Sequence, residues 1–351
     1  MFKYLLMYKI KQIPEDFIVE EITDLKTSEN GCCGYFILEK IEWGTLDAIE
    51  KIARAVGINS NRLGFAGNKD KRAITKQFIS IGEFNDWLRK GLEGLKIKGI
   101  GLRFLGCGDK RICLGDLSGN KFEIVVRNLD KDFKIGNINF IENYFDEQRF
   151  GINGKNCDVG RAIVKWEYGK ACELLGLLNE GECFRKNYLQ LLGKLGTRRL
   201  RFYIHAYQSY LWNCVLSEIL SKSKNSRFTI DYILGGFVFL KGNMPTNLKG
   251  LEIPLINFDS KLEGEVGGIY KKLMKIESIK QEDFVFRSMP ELVSEGVSRK
   301  AVVNVANFQC RFGSDELNKG KYKSILEFSL PAGSYASIVV KKIFGQQTFI
   351  N

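Results

Sequence analysis

Residues 64–77 read GFAGNKDKRAITKQ, and FISIG carries the chain on to residue 82. The second half, AITKQFISIG (73–82), alternates as a half-buried strand does, and the glycines ahead of it mark a turn. One acid, Asp70, stands among Arg62, Lys69, Lys71, Arg72 and Lys76. Two readings compete for that pattern. In one, the stretch is a solvated surface turn whose acid neutralises its neighbours. In the other, Asp70 is a catalytic carboxylate that the surrounding cations keep ionised beside a bound polyanion.

Strand patterns recur on both sides. GIGLRFLG (99–106) alternates, and KFEIVVRNL (121–129) puts Phe122, Ile124 and Val126 on one face. TLDAIEKIARAV (45–56) has helical spacing, with Leu46, Ile49, Ala53 and Val56 on one side, Thr45 as the cap and Gly57 as the left-handed stop. Farther on, GRAIVKWEYGKACELLGLL (160–178) and YIHAYQSYLWNCVLSEIL (203–220) read as helices. Residues 228–287 read as short strands and loops. VNVANFQCRF and KYKSILEFSL return to strands, and PAGSYASIVVKKIF predicts a Gly turn, a Ser334 cap and a terminal helix. Strand-rich ends around a differently patterned middle predict a mixed α/β (α+β) domain carrying an inserted one.

The bulk numbers narrow the function. A chain of 351 residues with 44% hydrophobic and 27% charged residues suits a folded soluble protein of two domains. No segment has the apolar length of a membrane span. The opening MFKYLLMYKI holds only Tyr4–Tyr8 between lysines, which reads as an entering strand in a cytoplasmic protein. A net charge of +12 argues for a polyanionic partner, nucleic acid first. From Phe184 to Phe202, FRKNYLQLLGKLGTRRLRF carries cations and rings but no acid. That pattern fits RNA contacts by Arg198, Arg199 and Arg201, or equally a basic helix face beside an acidic neighbour. Nine cysteines without a CxxC, and His205 as the sole histidine, predict no metal site and mostly buried, reduced thiols. They also leave the chemistry to carboxylates, Lys, Tyr or Cys.

Other motifs carry less. GNKDK differs from the guanine-reading NKxD by placing Asp70 one residue early, and no phosphate loop occurs, so no nucleotide cofactor is expected. RFLGCGDK (103–110) has the strand-then-glycine turn of S-adenosylmethionine-dependent RNA methyltransferases, with Leu105 in place of the usual acid. KQIPEDFIVEE (11–21), NYFDEQRFG (143–151) and LPAGSYAS (330–337) make a more coherent set. An enzyme acting on a nucleobase takes the base out of its stack, packs it against flat groups and reads its edge with polar ones. Phe17, Asn143 and Tyr335 are the right residue types, and Asp70 supplies a reactive group.

These blocks, with LGDLSGNKF (114–122) and AYQSYLWN (206–213), resemble in order the signature blocks of the TruD family of tRNA pseudouridine synthases. The resemblance spans about residues 11–340. It implies a pseudouridine-synthase-type catalytic domain over 1–152 and 301–351, an inserted TRUD domain over 153–300, and an RNA cleft between them. It implies Asp70 as the catalytic aspartate and Phe17, Asn143 and Tyr335 as contacts of the target uridine. Lys11 or Lys69 would pair with the aspartate, and Lys71, Arg72 and Arg149 would join the RNA-binding cations. The implied reaction turns uridine into pseudouridine, at uridine 13 of the tRNA D-arm, in a monomer needing no cofactor. A catalytically inactive tRNA-binding protein is the third possibility. Asp146, Ser337 and Asp116 depart from the family's usual Gly, Thr and Ala. Asp146 would repel RNA phosphates unless it pairs with Arg149 or faces away.

Overall fold

The computed structural model describes residues 8–28, 31–130, 135–178 and 187–345. Residues 1–7 of the opening stretch, and Phe184, Arg185 and Lys186 of the basic one, lie outside the described residues. In chain order come β1 (Phe17–Ile22), β2 (Cys33–Ile41), α1 (Thr45–Ala55), β3 (Leu63–Phe65), β4 (Ile74–Gly82), α2 (Asp86–Glu93), β5 (Ile100–Gly108) and β6 (Gly119–Leu129). Then follow β7 (Phe140–Glu142), α3 (Glu147–Phe150), α4 (Lys155–Val164), α5 (Tyr168–Leu174), α6 (Tyr188–Gly193) and α7 (Thr197–Ser221). The chain continues through β8 (Arg227–Tyr232), β9 (Gly235–Leu240), β10 (Glu252–Pro254), α8 (Gly264–Glu277), β11 (Ser298–Lys300) and β12 (Val302–Asn304). It closes with β13 (Ala306–Ser314), β14 (Tyr322–Pro331) and α9 (Ala336–Phe344). Of the described residues, those up to Asn139, Asn304–Ala336 and those from Ile343 form one compact unit; Phe140–Val303 and Ser337–Lys342 form a second.

The first unit is built on an eight-stranded sheet ordered β13-β14-β6-β1-β4-β2-β5, with β3 also paired to β4. β1 and β4 run parallel and their other pairings are antiparallel. One row of the register runs Lys40, Thr75, Val19, Phe122, Phe328. Side chains alternate between faces, so Phe36, Leu38, Ile79 and Ile81 share that row's face, where Ile49, Ile52, Leu88 and Leu92 of α1 and α2 cover them. Polar side chains interrupt this apolar surface at Glu21, Lys40, Thr75 and Gln77, all buried. Near the far edge, Arg127 of β6 is buried against Asp16 and Asp315 (2.8 and 2.9 Å) and reaches the half-exposed Glu316.

In the second unit α7 is the central helix, with Tyr207, Leu211, Trp212 and Leu216 fully buried. Residues 140–146 belong here because α7 holds them: Asn213 donates to Phe145 O and accepts from Phe145 N.

Several expectations fail for physical reasons. The helix read over 160–178 is two helices, broken where Trp166 takes a φ of +60°. The loops read over 228–287 include α8, whose three glycines dilute its helical signal. Thr45 is not a cap: Gly44 holds that position, and the Thr45 hydroxyl serves a tertiary contact. Ser334 does not cap α9, since its buried hydroxyl has no hydrogen-bond partner, although Gly333 does form the turn at φ +77°. The thiols are not mostly buried either: among the described cysteines Cys33, Cys157 and Cys172 are buried, but Cys32, Cys113 and Cys310 are exposed.

Candidate active site

The segment carrying Asp70 joins β3 to β4, which pair through residues 63–65 and 79–81, while residues 74–76 of β4 pair with β1. Buried polar side chains pin this segment. The Thr45 hydroxyl accepts from Lys69 N (2.9 Å) and donates to Gln77 Oε1 (2.9 Å). Gln77 Nε2 donates to Gly67 O (3.3 Å). Glu21 takes the Lys69 ammonium on Oε1 (2.7 Å) and Phe78 N–H on Oε2 (2.8 Å). Lys40 Nζ donates to Asp70 O (3.0 Å), Lys69 O (3.4 Å) and Trp43 O (2.7 Å). Gly64, in β3, is glycine for close approach: a Cβ there would lie 2.3 Å from Ile112 O.

The Asp70 side chain is 27% exposed, and its Oδ2 accepts from Lys11 Nζ at 2.8 Å. That ammonium also lies 3.9 Å from the centroid of the Phe17 ring. Lys11 has a φ of +56°, a conformation side chains rarely adopt. Asp16 Oδ2 holds the turn by accepting from Gln12 N and Ile13 N (2.9 and 3.2 Å). Phe17 is only 4% exposed and packs edge-on against Phe122, so its ring face serves Lys11. Tyr335 follows the Gly333 turn and is half-buried.

The crowd of cations around Asp70 therefore sorts itself. Lys69 is paired with Glu21, Lys76 with Glu20 and Glu39, and Arg62 with Glu83 and the carbonyls of Gly82 and Glu83. Lys71 and Arg72 are exposed.

In the second unit Asn143 is 5% exposed and its amide is already engaged. Its Oδ1 accepts from Arg299 Nη2 (2.6 Å), and its Nδ2 donates to Lys300 O (3.0 Å). Arg299 also donates to Asn143 O and stacks on Phe145 at 4.3 Å. Asp146 pairs with Lys341 (2.5 Å) and not with Arg149, which settles the repulsion its sequence position raised. Arg149 donates to Ser209 and lies 5.6 Å from the centroid of the half-exposed Phe202 ring. Burial, aided by Arg149 and Arg201, lowers the His205 pKa to about 4, so this imidazole is neutral. Arg198 and Arg199 are exposed at the start of α7, whereas Arg201 donates to Glu291 O and Val293 O. Arg299 and Asn213 were missed from sequence; the polar Ser209 and Asn213, four residues apart on an apolar helix, were the available signal.

The family model for tRNA pseudouridine synthase D (TruD) matches residues 6–182 and 178–343. The chain belongs to the TruD family. A tRNA pseudouridine synthase D from Aquifex aeolicus is 30% identical over 96% of this chain and 98% of its own. A probable tRNA pseudouridine synthase D 1 from Methanococcus maripaludis is 31% identical over 96% and 99%. A crystal structure of the Methanosarcina mazei protein named for TruD superposes with a TM-score of 0.68 at 25% identity, covering 97% of this chain and 94% of that one. TruD membership makes the chain an isomerase of the pseudouridine synthase class. Among the described residues no helix is long and apolar enough to cross a membrane.

In this TruD chain the Lys11–Asp70 pair is partly exposed, which limits what it adds to stability. Lys11→Met is expected to slow turnover roughly 10- to 100-fold. It should change unfolding free energy by about 1 kcal/mol, as partly exposed pairs do. Rate and melting temperature measured on one preparation check both halves.

Proposed function

We propose that this chain isomerises uridine 13 in the D-arm of tRNA to pseudouridine, with Asp70 as the catalytic carboxylate. The observation that carries the reading is the Lys11–Asp70 pair at 2.8 Å, on a segment pinned by Glu21, Lys40, Thr45 and Gln77. A carboxylate that must act at one atom of a bound nucleoside needs that kind of fixing.

The reaction breaks the ribose C1′–N1 bond, turns the uracil and rejoins C1′ to C5, so that C5 gives up its hydrogen and N1 gains one. Attack on C1′, attack on the uracil ring, and removal of a ribose proton to give a glycal all require an ionised carboxylate. Lys11 supplies the countercharge. Lys71 and Arg72, exposed beside Asp70, suit phosphate contacts, as do Arg198 and Arg199. The roles of Phe17, Tyr335 and Asn143 towards uridine rest on the motif resemblance, as does the assignment of residues 1–152 and 301–351 to catalysis and 153–300 to the insertion. The enzyme acts in this reading as a cytoplasmic monomer on tRNA, without cofactor.

A tRNA transcript tritiated at uridine C5 tests the proposal. Release of tritium is expected from the native transcript, with the share owed to uridine 13 missing when cytidine replaces it. Unchanged release from the cytidine transcript would move the target elsewhere. Tight, salt-sensitive binding without release would identify a tRNA-binding protein, and methyl transfer from S-adenosylmethionine would identify a methyltransferase.

A further inference from the structure

We propose that Lys40 is a positioning residue for this reaction, fixing the main chain of Asp70 while Lys11 holds its carboxylate. The inference rests on the catalytic reading of Asp70.

Lys40 lies within β2 and is fully buried, a rare position for lysine. The hydrogen bonds on its ammonium go to main-chain carbonyls, at Trp43 (2.7 Å), Asp70 (3.0 Å) and Lys69 (3.4 Å). These use the three donors of the group. Two of the carbonyls belong to the catalytic segment, and one belongs to Asp70 itself. Lys40 thus grips the backbone of the residue whose carboxylate Lys11 grips by its side chain. Thr45 and Gln77 hold Lys69 N and Gly67 O nearby, so residues 67–70 have little freedom to shift.

The charged groups facing Lys40 are Asp70 and Lys69; Lys76, next along β4, is paired with Glu20 and Glu39. Burial lowers the Lys40 pKa to about 8, against the pull of Asp70 and with a smaller push from Lys69. In the unfolded chain the group titrates near its ordinary value of 10.5. The folded chain therefore loses this proton first, and the Lys40 contribution to stability rises between pH 8 and 10.5. Positioning by the ammonium fades as pH rises through about 8. Activity should fall where this group makes the fold more stable.

Single-turnover pseudouridine formation on C5-tritiated tRNA, with tRNA affinity beside it, is measured from about pH 6.5 to about pH 9.5. The wild-type rate is expected to fall above about pH 8. Lys40→Met should lose about 100-fold in rate, as ångström-scale misplacement does, with unchanged tRNA affinity and no alkaline fall. Lys40→Arg, which stays charged, should recover part of the rate and show no alkaline fall. Equal rates and profiles for wild type and Lys40→Met would overturn the inference, and so would parallel losses of rate and affinity, which mark a merely structural lysine. Should Lys40→Met not fold, a wild-type rate flat across the range overturns it. An inactive wild type overturns the proposed function, and this inference with it.

Discussion

Asp70→Asn is expected to fold, to bind tRNA as the wild type does, and to release no tritium. Asparagine keeps the shape of the side chain, and its oxygen can still accept from Lys11 at the 2.8 Å position. The main-chain carbonyl of residue 70 keeps its bond from Lys40, and Thr45, Gln77 and Glu21 still hold Lys69 and Gly67. The negative charge is lost, and one acceptor oxygen becomes an amide donor. Stability should change by about 1 kcal/mol or less, because the pair it belonged to is partly exposed. The rate should fall by about four orders of magnitude or more, the size seen when the central group of a catalytic set is removed. Excess enzyme over labelled tRNA isolates the chemical step, and filter binding reports affinity. A variant keeping more than about 1% of the rate, a loss under about 2.7 kcal/mol, would remove Asp70 from the chemistry.

What the sequence showed depended on whether the deciding partner was near in the chain. AITKQFISIG and KFEIVVRNL are strands because their own alternation fits a half-buried sheet, and β4 and β6 occupy those places. The α7 helix was legible for the same reason. Thr45 looked like a cap by local rule, but its partners Lys69 and Gln77 lie 24 and 32 residues away. Asp146 and Lys341 are 195 residues apart, so their pairing left no local trace. Lys40 sits in ILEKIEWG between two glutamates and reads as a surface lysine; only the sheet register turns it inward. The cations around Asp70 read alike in the sequence, yet Lys69 and Lys76 answer to Glu21 and Glu20. Motif order carried the family because it survives such long-range pairing.

Arg127→Met should be the most destabilising of these substitutions, and it should reach the site as well. The guanidinium is 3% exposed and bonds Asp16 and Asp315, both fully buried in their side chains, and the more exposed Glu316. Methionine would fill much of the volume and leave two buried carboxylates without their cation. Breaking a buried pair in that way costs about 3–5 kcal/mol, or roughly 10 °C in melting temperature at about 2–4 °C per kcal/mol. Acid sensitivity should change too. Burial pushes the Asp315 pKa up, but hydrogen bonds from Asn128 N, Asn318, Leu317 N and Arg127 outweigh it and bring the group to about 2. A depressed carboxylate stabilises the fold above its unfolded pKa, and that stability is lost as pH falls from about 4 to about 2. Without Arg127 one of those contacts is gone, so acid unfolding should begin at higher pH. The catalytic consequence runs through Asp16, whose other oxygen holds Gln12 N and Ile13 N beside the strained Lys11. If Asp16 loosens, the turn that aims Lys11 at Asp70 loosens with it. Tritium release should then drop at temperatures where the variant is still folded. Arg127→Met paired with Asp315→Asn closes a double-mutant cycle: the second change should recover part of the lost stability by removing one stranded charge. Additive losses, or a melting temperature within about 2 °C of wild type, would show that the buried carboxylates do not depend on Arg127.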